Sequence, residues 1–504
     1  MSLIKNFSRN IQYQAFGILT STIVTFFLTP FILHRIDHSL YGIYILMYSI
    51  VNYLNIMDFG ISAAVIKYVA QYNAKQDWEK LQKIINLTLT LFLFIGLICG
   101  TFLFAFSFFY ERVFHVTSQF ITNGRYFMWI TGVELVFAMF FLPIRGALNG
   151  LQRADIIKKI NITSTLLKLP IAVYFFNIFP PTTAFLIYLI LDGILLNILY
   201  LSSIYRLFKI CPQYKFKFLY FDKSTFHKIF KFSIFVFLSG ITNLVIFQTD
   251  NIVISVFSSA TLVTYYSIGL ALASQMRQIN SILGGPIFLA VAHLAGLNDK
   301  DKNHFMLFKG TKLMNAIYAP IILITVVFCE VFILNWLGPK FSISILPARL
   351  LLVYWIFNGH LETATGFLTT KGHVDILFYA NFGNALSNLV LSIILIKYLG
   401  IAGVALGTLI PMIIFCTINL IICLRKLGVP LSLFYKKALS KNIIFYFIPV
   451  LLSLLTLKYI SIPNIYLTLF YMGMIFVISE VIYYAFFLDK KERLLVRKVA
   501  SIQL

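Results

Sequence analysis

Eleven charged side chains stand within stretches that are otherwise apolar: basic Arg145, Lys168, Arg277 and Arg349, and acidic Asp58, Glu134, Asp192, Asp250, Glu330, Glu362 and Glu480. A charge at the centre of a bilayer costs at least a few kcal/mol, so each needs a partner, a reach to the headgroups or a water-filled cavity. Lys168 and Arg277 lie nearest the middle of their runs, where snorkelling is long, and a cavity explains them most simply. There a guanidinium offers bidentate contacts to phosphate and an ammonium a point charge. Arg145 and Arg349, near opposite ends of their runs, can join such a cationic site or simply reach the headgroups. Asp58, Asp250 and Glu362 are candidate relays for a coupling H⁺ or Na⁺; the plainer alternative is that each pairs with a nearby Arg or Lys.

The first apolar run carries Gln14, Ser21, Thr25 and Thr29 on one helical face, which must meet a cavity or another helix. The seventh repeats the pattern with Ser239, Thr242, Asn243, Thr249 and Asp250. His34 and His38 have helical i, i+4 spacing but no third ligand nearby, so no metal site is expected. The five cysteines form no Cys-x-x-Cys pair, and no Walker A motif offers direct use of ATP. No cofactor is expected beyond a coupling ion.

The elements that must position these residues follow from composition. Of 504 residues 60% are apolar and only 12% charged, which excludes an ordinary soluble enzyme, a disordered chain and a disulfide-stapled domain. Mean hydropathy is +0.88. Apolar runs at 11–33, 41–66, 84–110, 126–149, 160–179, 184–205, 232–257, 262–297, 313–335, 345–370, 376–396, 401–424, 443–457 and 465–488 predict an all-α polytopic protein of about 14 transmembrane helices. Gly284-Gly285-Pro286 predicts a break in the eighth. With the N-terminus inside, 31 of the 41 Lys and Arg fall in inside segments, 6 in outside loops and 4 within spans, so both termini are expected in the cytoplasm. The same bias accounts for the net charge of +23 through loop retention and anionic lipid, without nucleic acid.

Five identities at a shift of 220 residues, Gly146/Gly366, Leu148/Leu368, Asp155/Asp375, Ile156/Ile376 and Asn161/Asn381, indicate two parallel halves. The expected organisation is a six-helix bundle over 1–205, a basic cytoplasmic linker over 206–231, and a second six-helix bundle over 232–424. A cytoplasmic loop, two further helices and a basic tail fill 425–504.

The motifs Leu40-Tyr41-Gly42, Asp58-Phe59-Gly60, Ala63-Ala64 and Lys67-Tyr68-Val69-Ala70, with Pro30 before them and Leu148-Asn149-Gly150-Leu151-Gln152-Arg153 after, resemble Wzx-type polysaccharide flippases of the MATE/MOP transporter superfamily. Arg35-Ile36 stands where that family often has Leu-Gly, and Lys67 where Arg is common. The resemblance implies a non-enzymatic flippase of the bacterial inner membrane. It would move polyprenyl-diphosphate-linked oligosaccharide to the outer leaflet by alternating access, with membrane lipids and polysaccharide assembly proteins as further partners. It also implies that the last two helices border a groove for the lipid tail. Two alternatives stay open: a MATE-type drug/cation antiporter, for which Asp58 or Asp250 would bind the ion, and a membrane polysaccharide polymerase, which would be expected to carry a larger outer loop than 111–125.

Overall fold

The computed structural model describes residues 2–489, 492 and 493, apart from 115, 117, 218, 297–299 and 371–372. Among the described residues every regular element is helical, as hydrocarbon demands of a chain that must satisfy its own backbone N–H and C=O groups. The long helices are α1 (Ser2–Leu33), α2 (His38–Leu54), α3 (Ile61–Ala74), α4 (Trp78–Phe106), α5 (Ile121–Gly150), α6 (Ala154–Ile178) and α7 (Pro181–Ile210). After them come α8 (Lys223–Phe257), α9 (Ala260–Gly296), α10 (Lys300–Leu337), α11 (Ile345–Thr370), α12 (Val374–Leu427), α13 (Ser440–Tyr459) and α14 (Ile465–Ile482).

Eleven described helical stretches are long and apolar enough to cross a membrane. The 54-residue α12 supplies two crossings, because Gly400 (φ 57°, ψ −140°) breaks the helix. The charged α6, with 25 residues, and α9, with 37, are also long enough, which brings the crossings to the fourteen expected. The helix α9 runs on through Gly284-Gly285-Pro286, where a break was expected. The expected span 41–66 is instead interrupted. A 3₁₀ turn over Asn55–Asp58 leads into left-handed Phe59 (φ 49°) and Gly60 (φ 73°), and Asp58 accepts a hydrogen bond from Ser62 N at 2.8 Å to start α3.

Helix starts recur along the chain. Those of α1, α2, α4, α5, α6 and α7 reappear 220 to 224 residues later as those of α8, α9, α10 and α11 and of the two halves of α12, the last at Ile401. The turn before α6 closes with Arg153 N on Leu148 O at 2.8 Å, and that before α12 with His373 N on Leu368 O, also at 2.8 Å. Helices α13 and α14 have no counterpart in this pairing.

Two compact units result, Met1–Thr264 and Tyr265–Leu504. In the first, α4 packs on α5, α1 on α6, α6 on α7, and α2 on α8, around Leu40, Ile43, Phe92, Phe127 and Phe185. Gly96 and Gly100 let α4 approach α5 closely: a Cβ at Gly96 would lie 3.1 Å from Val136 O. Asn86 of α4 ties down the segment after α7, accepting from Tyr214 Oη at 2.7 Å and donating to Lys215 O at 2.9 Å. In the second unit, α11 packs on α10 and α12, and α13 and α14 dock on α10. The two halves of α12 close as tightly, for a Cβ at Gly407 would lie 2.6 Å from Ser392 N.

Candidate functional site: a lysine-lined cavity in the first unit

Polar positions on α1 have a place to point. Ser21, Thr25 and Thr29 line a cavity of about 210 Å³ together with Tyr41 and Tyr44 of α2, Thr165 and Lys168 of α6, and Phe185 and Tyr188 of α7. The α1 stripe therefore faces a cavity rather than packing only against a neighbouring helix; the side chain of Gln14 lies outside the described residues. The lining offers one ammonium, four aliphatic hydroxyls and three phenols, a set of donors suited to an anionic or polyhydroxylated group.

The ammonium is held. Lys168 Nζ donates to Asp192 Oδ2 of α7 at 2.7 Å, with both side chains partly exposed. A second carboxylate, Glu134 of α5, rests against the next residue, Gly193, where any Cβ would overlap it. Asp192 and Lys168 both act on Glu134 electrostatically. Glu134 also touches the floor of an apolar groove between α5 and α7, lined by Val133, Phe137, Ile190 and Ile194.

The other expected residues lie apart from this cavity. Arg145 stands over the ring of Tyr200 at 5.2 Å, a cation–π contact, and Tyr200 donates to Asn161 Oδ1 at 2.7 Å. Arg277 lies on α9 in the second unit with an exposed side chain. Arg349 pairs with Glu330 at 3.2 Å, both on the outer surface of the protein, so each has the other as its partner. Asp58 caps α3. Asp250 is buried on α8 between Thr249, hydrogen-bonded to Tyr53 Oη, and Asn251, which donates to Ser49 Oγ at 3.0 Å. That stretch of the seventh run is a polar seam against α2; the side chains of Ser239 and Asn243 lie outside the described residues. Glu362 accepts from Asn280 at 3.0 Å and fills the space above Gly284.

The pairing of Lys168 with Asp192 had a readable signal. Helices α6 and α7 meet at Phe179-Pro180-Pro181, and the two residues stand twelve positions either side of Pro180, as facing residues of an antiparallel helical hairpin do. The tyrosines at 44 and 188 carried no such mark, because aromatic residues abound in every span, and Tyr41 stood out only as part of Leu40-Tyr41-Gly42.

Comparison with known proteins places the whole architecture. The chain aligns over 432 residues with the "Putative O-antigen transporter" of Shigella flexneri at 22% identity, covering 82% of this chain and 96% of that protein. Its fold is that of the lipid II flippase MurJ in an inward closed conformation (TM-score 0.62, 17% identity, 96% of this chain and 99% of that one). It is likewise that of an inward-facing multidrug resistance MATE transporter of the MOP superfamily (TM-score 0.66, 12% identity, 83% and 94%). The family model described as polysaccharide biosynthesis protein matches residues 7–291, more than half of the sequence and all but the first six residues of the unit that holds the cavity, so this multi-pass membrane chain belongs to the polysaccharide biosynthesis protein family.

Proposed function

We propose that the protein is a flippase that carries a polyprenyl-diphosphate-linked oligosaccharide from the cytoplasmic to the outer leaflet of the bacterial inner membrane. The observation that carries this reading is the cavity of Lys168, with its phenols and hydroxyls, inside a membrane-spanning unit of a polysaccharide biosynthesis protein. An ammonium in such a place attracts a diphosphate, while hydroxyls and phenols exchange hydrogen bonds with sugar and the lipid chain stays in hydrocarbon. The O-antigen transporter relative and the MurJ-like fold support the same reading. Transport then proceeds by alternating access of two six-helix bundles, 1–205 and 232–424, joined through 206–231, with both termini cytoplasmic and no bond made or broken in the substrate. Arg277, Arg145 and Arg349 are further candidate cationic groups, and Asp58, Asp250 and Glu362 are candidate coupling groups.

The test is purified protein in vesicles that hold fluorescent lipid-linked oligosaccharide in one leaflet. Wild-type protein is expected to expose the label to the opposite leaflet, and Lys168→Ala to slow this by tenfold or more. Equal rates for the two proteins would remove the cavity from the mechanism. The carboxylates Asp192 and Glu134 beside Lys168 favour one second reading, a MATE-type cation antiporter. Extrusion of organic cations without movement of lipid-linked sugar would select it.

A further inference from the structure

Around the cavity, the ammonium of Lys168 stands among two carboxylates. Asp192 holds it at 2.7 Å, and Glu134 sits behind Gly193 within electrostatic reach of both. Among the described residues, the polar groups that line the cavity with Lys168 are neutral: Tyr41 and Tyr44 from α2, Tyr188 from α7, and the hydroxyls of α1 and α6. The basic residue of α5 inside the membrane, Arg145, is engaged farther along that helix with Tyr200. With both carboxylates ionised the trio is therefore one negative charge in excess, which repels the anionic headgroup that the proposed function brings to it.

We infer that Asp192 is a built-in competitor for the substrate: it neutralises Lys168 while the cavity is empty and yields it to a substrate phosphate, and the released carboxylates of Asp192 and Glu134 together take up one proton from cavity water. The inference rests on the flippase reading and adds the residues that regulate its site. Charge balance requires the proton. A phosphate entering without it would leave three anions around one ammonium in a poorly screened site. Gly193 keeps the two carboxylates close, since any larger residue there would drive Glu134 away. Substrate and proton thus bind together in this unit, and Asp192 reclaiming Lys168 expels both.

The test uses the full-length protein in nanodiscs and a polyprenyl-diphosphate-linked monosaccharide, whose diphosphate diester keeps its charge between pH 6 and pH 8. Binding is expected to strengthen as pH falls, by up to about tenfold per unit for one proton taken up. In weakly buffered solution, addition of the probe should remove about one proton from the medium per headgroup bound. Glu134→Gln is expected to flatten the pH dependence and to bind at pH 8 as the wild type does at pH 6. Asp192→Asn is expected to bind more tightly at every pH but to release slowly, lowering KM and kcat together. The exchanged pair Lys168→Asp with Asp192→Lys keeps an ion pair between α6 and α7, and should remain folded yet lose binding. Binding that is independent of pH with no proton uptake overturns the inference and leaves the flippase reading standing. Recovery of full binding by the exchanged pair overturns it too, because the ion pair would then be purely structural. Failure of the wild type to bind the probe at any pH overturns both.

Discussion

Lys312 and Glu492 form an ion pair that is almost fully buried where the chain returns from α14 to the N-terminal part of α10. Lys312 Nζ donates to both carboxylate oxygens, at 2.8 and 3.0 Å, and to Phe487 O at 3.3 Å. Lys309 also binds Glu492, and Lys441 binds Asp489 at 3.1 Å. Burial works against the charge on Glu492, but the two ammonium groups outweigh it and hold its carboxyl below the usual range; Lys441 does the same for Asp489. Carboxyls depressed in the folded state stabilise it fully above their unfolded values and lose that effect as pH falls through the folded ones. Attachment of α14 to α10 should therefore be unchanged from pH 8 to pH 6 and weaken below about pH 4.5, near the ordinary glutamate value, as read by proteolysis of the segment after α14. Glu492→Gln strands a buried ammonium and should cost about 3 kcal/mol, whereas Glu492→Met with Lys312→Met should recover most of it. Thermal unfolding of the purified variants separates the two.

Among the elements, the break between α2 and α3 and the hairpin within α12 are where single residues decide the path of a helix. Asp58 is both a helix-starting side chain and a candidate ion site, and two substitutions divide these roles. Asp58→Asn keeps an acceptor for Ser62 N and removes the charge, while Asp58→Ala removes both and should cost about 1 kcal/mol. If Asp58 serves only to start α3, Asn supports wild-type export; if it carries a coupling ion, Asn fails as Ala does. At Gly407 the partner is backbone, which cannot yield as a side chain would. Gly407→Ala should destabilise the second unit by about 1–3 kcal/mol, a loss measurable in detergent unfolding, whereas Gly473→Ala on α14, where a Cβ meets nothing within 4 Å, should be tolerated.

For the whole molecule, the distribution of Lys and Arg makes an orientation testable. Cysteines placed at Ser224 and Ser432, in a background without the five native cysteines, should resist a membrane-impermeant thiol reagent in intact cells and react after permeabilisation. Both positions follow an even number of crossings from the N-terminus. Efficient labelling of both in intact cells would invert the topology.

Apolar runs of the right length, a charge bias alternating between loops, and recurring motifs at 220 residues' spacing were enough to determine that this chain is an all-helical membrane protein with paired halves. These features are one-dimensional, because each crossing must be apolar along its own length and each loop is sorted by its own charges. The break at Asp58-Phe59-Gly60 was written there too, as a motif, although its meaning as a left-handed turn was not. The hairpin spacing about Pro180 marks Lys168 and Asp192 as facing residues, but tertiary structure decided the other meetings of intramembrane charges. Spacing within one run cannot tell whether Ser21, Thr25 and Thr29 face a helix or a cavity, since that depends on how α2, α6 and α7 pack around them. Nor could it show that Glu134 shares a site with Asp192, because that neighbourhood is made by a missing side chain, the Cβ that Gly193 lacks.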